Sequence, residues 1–277
     1  MILIALLIAF SIERVVHLPA FWQMDFLLAR WLDWSQQKLS PGKQQQLDKP
    51  VAQAIWLLLP ALLAGLLVTL LDNSLVTFIA GIIALLVGIS CPDARSAYKN
   101  YLKAANKGDH EAVAHYQQQL NLLAGSDASR PINQTVCWLN YQYYVAVMFF
   151  YVVFGVFGVL AYAAIRSAEL HQSARFNSLP LQRLRWALDF IPVRLAGLGL
   201  LIVGHFSRAL PVWLSSLTDL RCDQRDVLAA VVDKAEDMPH HPDDKTDAAG
   251  AQLKLMKRQQ IVWLCVIALM TLSGGLY

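Results

Sequence analysis

Four long stretches of this chain carry no charged residue: Val51–Leu71, Asn73–Pro92, Pro131–Ile165 and Gln259–Tyr277. A bilayer's hydrocarbon core is roughly 30 Å thick and takes about 20 apolar residues to cross as a helix. Each run meets or approaches that length, and soluble chains of 277 residues rarely hold four. Composition agrees: charged residues make up 16% of the chain, against about 25% in globular domains, and mean hydropathy is +0.42. The runs predict an all-α fold, a polytopic helical membrane protein forming a single integral-membrane domain over 1–277.

The first twelve residues, MILIALLIAFSI, are apolar but too short to span. They lack a basic leader and a small-residue cleavage site, which argues against a removable signal peptide. Trp22, Trp31 and Trp34 follow at spacings suited to an interfacial helix. Residues 1–50 therefore read as a half-inserted, then interfacial, N-terminal segment. Four cysteines (Cys91, Cys137, Cys222 and Cys265) have no CxxC spacing and read as small buried hydrophobes.

Lysine and arginine placement sets orientation. Arg14, Arg30, Lys38, Lys43 and Lys49 precede the run at 51–71, and Arg95, Lys99, Lys103, Lys107 and Arg130 follow that ending at 90. Only Asp72-Asn73-Ser74 joins the two runs, so 51–90 is predicted to be a transmembrane hairpin with both basic flanks cytoplasmic. Residues 91–144 form a cytoplasmic helical loop, expected to break near Lys107-Gly108-Asp109. The core at 145–218 leaves two readings. Either 145–165 and 191–206 both span, which puts Arg166, Arg175, Arg183 and Arg185 outside, or both re-enter, which the arginine distribution favours. Gly155, Gly158 and Arg194 are the expected break points. Residues 219–258 form a polar loop, and 259–277 a C-terminal transmembrane helix. Nothing marks a nucleic-acid partner; the net charge of +3 reflects the basic loops.

Charged and polar groups near apolar runs are the candidates for function, because a lipid-facing helix avoids them. In DFIPVRLAGLGLLIVGHFSRAL, Asp189, Pro192 and Arg194 read in two ways. Arg194 can hold a phosphate or carboxylate, with Asp189 orienting it or a metal ion. Alternatively the three residues start a helix, with arginine snorkelling to the interface. His205, eleven residues beyond Arg194, falls roughly on the same helical face. Glu13 and His17 are i,i+4 partners beside Arg14, and either complete a polar site or anchor the interface. Asn140, amid Trp138, Tyr141, Tyr143 and Tyr144, is expected to join a polar network beneath an interfacial aromatic belt. His110, Glu111 and His115, and His240-His241 with Asp243 and Asp244, resemble metal patterns without HExxH spacing, and read as solvated faces. No metal site is expected.

The segments CWLNYQYYVAVMFFYVVFGVFGVLAYAAIR, DFIPVRLAG, GHFSRALPVWLSSL and SIERVVHLPAFWQMDFLLARW resemble the AmpE family of Gram-negative inner-membrane proteins, nearly end to end. The resemblance implies a multi-pass inner-membrane protein that regulates β-lactamase induction, functionally linked to AmpD, an amidase of peptidoglycan recycling. AmpE is similar in turn to the cobalamin-biosynthesis proteins CbiB and CobD, which join an amino-alcohol phosphate to adenosylcobyric acid using ATP and magnesium. Asp189, Pro192, Arg194 and Leu195 reproduce the pattern of an aspartate before I-P-A-R-L. Tyr162 and Arg166 match part of Y-R-A-I-N, and Glu13 stands near that family's N-terminal acid. The downstream acid-rich segments are absent.

Together these readings predict a regulatory protein, in contact with membrane lipids, that binds an anionic small molecule. Arg194 and Arg14 are expected to hold the anion, with Asp189 and Glu13 orienting them or a magnesium ion. His205 lines the floor and Asn140 belongs to the network. The rival readings are an ATP- and magnesium-dependent amide ligase of CbiB type and a scaffold acting through its loops.

Overall fold

In a computed structural model of the chain, the structure describes residues 1–16, 19–38, 50–126, 129–171, 178–219, 222–236 and 245–275. Among these residues every regular element is helical. The chain forms two compact units. One comprises Met1–Ser90, Val147–Leu188 and Ser273–Tyr277, and the other Cys91–Ala146 and Asp189–Leu272.

The first unit opens with α1 (Ile2–Val15), a 3-10 turn and α2 (Met24–Lys38). It continues with α3 (Pro50–Leu71) and α4 (Ser74–Ile89). The tight link between α3 and α4 is capped by Asn73, whose Oδ1 accepts from Leu75 N–H at 2.9 Å and Val76 N–H at 3.4 Å. Two apolar helices joined by a tight turn thus occupy 50–89. Leu62, Leu66, Leu67 and Leu70 on α3 are exposed, as a lipid-facing surface requires. Helix α1 packs along α4, and the Ser74 hydroxyl lies 3.6 Å from the Met1 sulfur, so the two run in the same direction. At 14 residues, α1 is about 21 Å long and too short to cross. Trp31 stacks on the exposed Trp34 at 5.3 Å and on Trp56 at 5.4 Å, and Trp31 and Trp56 pack against a core that includes Leu28, Leu32, Leu57, Ile165 and Leu181.

Helix α8 (Ala146–His171) changes direction inside its length: Gly155 sits at φ 59°, ψ −143°, a conformation open essentially only to glycine. The consequence is a reversal rather than a kink. Phe150 and Tyr162 stack at 4.8 Å, whereas twelve residues of straight helix would separate them by about 18 Å. A Cβ on Gly158 would lie 2.4 Å from the Phe150 carbonyl oxygen, so that position has no room for a side chain. The break falls where the glycines predict it.

The second unit contains the polar hairpin of α5 (Pro92–Lys107) and α6 (His110–Leu123), broken at Gly108 as expected. It continues with α7 (Ile132–Asn140) and a single π-helical turn, Tyr141–Val145. Then come the second part of α9 (Ser178–Val203), α10 (Phe206–Thr218), α11 (Gln224–Ala235) and α12 (Lys245–Leu272). Helix α12 packs on α7, and α11 on α10 and α7.

Four helical stretches are long and apolar enough to cross a membrane: Ala52–Leu71, Ile132–Leu170, Leu179–Val203 and Ala249–Leu272. The reversal at Gly155 divides the second. Several expectations need correction. Arg194 is not a break point. Helix α9 runs unbroken from Ser178 past Pro192, and the chain turns only at Gly204–His205. Asp189, Pro192 and Arg194 therefore lie mid-helix, not at a helix start. Trp138, Tyr141 and Tyr143 are buried in the second unit's core rather than forming an interfacial belt. Cys137 is buried, but Cys222 and Cys265 are exposed.

Candidate functional site

Helix α9 carries Asp189 and Arg194 five residues apart, hence roughly 140° around its axis. The two side chains diverge and serve different neighbours. Asp189, 2% exposed, accepts from the Tyr141 hydroxyl at 2.9 Å. Tyr141 opens the π-helical turn, a wide turn often found at functional sites. Beside it, Asn140 Oδ1 accepts from Gln260 Nε2 at 2.8 Å, so Asn140 joins the polar network expected of it. Gln259 Nε2 donates to the Ala196 carbonyl at 2.7 Å. The π-turn, α9 and α12 thereby build a buried polar set in the second unit.

On its other face α9 meets α10. The turn at Gly204–His205 folds α10 back along α9, and Trp213 Nε1 donates to the Arg194 carbonyl at 2.8 Å. Gly204 is required there, since a Cβ would lie 2.4 Å from the Ala235 carbonyl oxygen. His205 caps α10, and its backbone N–H donates to the same Ala235 carbonyl at 2.8 Å. Its side chain is exposed, so it does not line a buried floor. The helix ends before it, which voids the expectation of one shared helical face with Arg194.

Arg194 is 7% exposed. Its Nη1 donates to the Phe190 carbonyl at 2.9 Å and to Gln224 Oε1 at 2.7 Å. Its Nη2 donates to the carbonyls of Ser216 at 2.9 Å and Asp219 at 3.2 Å. The Phe190 ring centroid lies 3.5 Å from the guanidinium carbon. Nε has no partner. Among the described residues no carboxylate lies within ion-pair distance of this guanidinium. Asp219 instead accepts from the Cys222 thiol at 2.9 Å, and that bond, with some desolvation and nearby acids, holds the exposed thiol's pKa above its ordinary value.

Glu13 and Arg14 belong to the first unit. Glu13 is buried and Arg14 exposed, while His17 lies outside the described residues. The shared register of α1 and α4 puts Glu13 level with α4's last turn, where the Gly88 carbonyl accepts from Arg166 Nη2 at 2.9 Å. His110, Glu111 and His115 are exposed, and His240, His241, Asp243 and Asp244 lie outside the described residues. Among the described residues no group of three or more His, Cys, Asp or Glu side chains could hold a metal ion. Gln224 is a site residue that sequence reasoning misses. It is 2% exposed, yet it lies in a polar stretch where nothing in the sequence distinguishes it.

Over its full length, residues 1–277, the chain matches the model of the family described as regulatory signalling modulator protein AmpE. It belongs to the AmpE family. Protein AmpE of Shigella flexneri is 29% identical over 296 residues, covering 100% of both chains. No solved structure matches. In this AmpE-family chain the polar groups thus concentrate on the two faces of α9, the carboxylate on one and the guanidinium on the other.

Proposed function

We propose that the chain is a regulatory protein of a Gram-negative inner membrane, coupled to β-lactamase induction and peptidoglycan recycling, with AmpD as its functional partner. It responds to an anionic ligand held at Arg194. The observation that carries this reading is the buried guanidinium without a paired carboxylate. The C-terminal carbonyls of α10 offset part of the charge, and the Asp219 carboxylate acts on it only from beyond ion-pair distance. Burying an unpaired charge costs several kcal/mol, and an anion removes that cost. On the opposite face of α9, Asp189 accepts from Tyr141, and Asn140 beside Tyr141 accepts from Gln260 of α12.

The test is genetic. Removing the gene from its host should lower the β-lactamase level reached on induction, and returning the wild-type chain should restore it. Unchanged induction after removal would overturn the regulatory reading.

A further inference from the structure

We propose that Gln224 is the second binding residue of the Arg194 site, and that the pair takes the oxygens of one oxyanion, a carboxylate or a phosphate. The proposal rests on the anion-responsive reading above and adds a residue, a ligand chemistry and a relay. Both side chains are more than nine-tenths buried. Gln224 gives its Oε1 to Arg194 Nη1 at 2.7 Å, and this fixes the amide orientation, because a flipped amide would set donor against donor. Its Nε2 then has no acceptor, and neither does Arg194 Nε.

One hydrogen-bonded cluster thus holds two buried donors without acceptors and a positive charge whose nearest acid, Asp219, acts on it from beyond ion-pair distance. A buried donor left unpaired forfeits its bond to water and gains nothing in return. A water would accept from such donors but brings donors of its own and no charge. An oxyanion supplies acceptors and charge together, in the charge-assisted bonds that arginine makes best. Gln224 also opens α11, whose 12 residues present a positive N-terminal end.

The same guanidinium reports occupancy elsewhere. Its Nη2 holds the carbonyls of Ser216 and Asp219 at the C-terminal end of α10, and Asp219 holds the Cys222 thiol. An oxyanion that draws the guanidinium toward itself loosens that hold, so anion binding is transmitted to the end of α10 and read at Cys222.

The experiment uses the purified full-length chain in detergent micelles, titrated at constant ionic strength with inorganic phosphate and separately with acetate, against chloride. Thermal unfolding and the alkylation rate of Cys222 are followed. One of the two anions should raise the Tm and speed Cys222 alkylation, and which one does so separates phosphate from carboxylate. Gln224→Glu keeps the acceptor for Arg194 Nη1 and supplies the missing charge internally. It should fold with a Tm at or above wild type and weaken the anion response by about tenfold or more. No response of the wild type to either anion, or a Gln224→Glu chain that responds like wild type, would overturn the proposal. A Gln224→Glu chain that loses the anion response while induction persists would uphold this site and sink the regulatory reading instead.

Discussion

Tyr141 donates its hydroxyl to the carboxylate of Asp189 at 2.9 Å, with the tyrosine 0% and the aspartate 2% exposed. A π-helical turn and a mid-helix acid are thereby joined inside a membrane protein. Tyr141→Phe removes the donor and leaves the buried carboxylate short of one bond, at a cost of about 1–3 kcal/mol. Thermal unfolding in detergent should show a lowered Tm, and a Tm equal to wild type would mean the bond contributes nothing.

The reversal of α8 at Gly155 predicts proximity that a straight helix forbids. With the native cysteines removed, Phe150→Cys and Tyr162→Cys together should be bridged rapidly by a short bifunctional thiol reagent, detected by mass spectrometry. Failure to bridge would show that the helix runs straight, with the two positions about 18 Å apart.

Arg185, which is buried, and Glu169, which is half-buried, form an ion pair at 2.5 Å in the first unit. Glu169→Gln removes this charge-assisted bond and should cost about 1–3 kcal/mol. Replacing both partners together, with Arg185→Met and Glu169→Leu, should recover most of that loss. A single variant as stable as wild type would refute the pairing.

Cys222 carries the sign of its neighbour. The Asp219 carboxylate accepts from the thiol and raises its pKa above the value of about 8.5 for a free cysteine. At pH 8 the thiolate is therefore scarcer than in a free thiol, and alkylation by iodoacetamide should reach half its limiting rate at a higher pH than glutathione does. Asp219→Asn should move that midpoint down. A midpoint that the substitution leaves in place would remove Asp219 as the cause.

Much of this architecture is legible in the sequence because it depends on local chemistry. Uncharged runs mark the apolar helices, Asn73 the turn between two of them, Gly108 the break in the polar hairpin, and Gly155 the reversal. What the sequence hides is long-range pairing. Arg183 and Arg185 give 166–190 the look of a basic connection, but α9 begins at Ser178 and Arg185 meets Glu169 sixteen residues away. Arg194 stands out in the sequence as an oddity in an apolar run. Its acceptors, Ser216, Asp219 and Gln224, are ordinary polar positions that become a site only when α10 folds back and α11 packs against it. Nor does spacing show which face of α9 each charge takes until its partners are known.

The most direct measurement compares two arginines of the second unit, Arg194 in α9 and the exposed Arg208 in α10. Each is changed to Gln in a host whose own AmpE-family protein has been removed, with both variants present in the membrane at the wild-type level. Induced β-lactamase activity should be lost with Arg194→Gln and retained with Arg208→Gln. Equal induction by the two variants would contradict a regulatory site centred on Arg194.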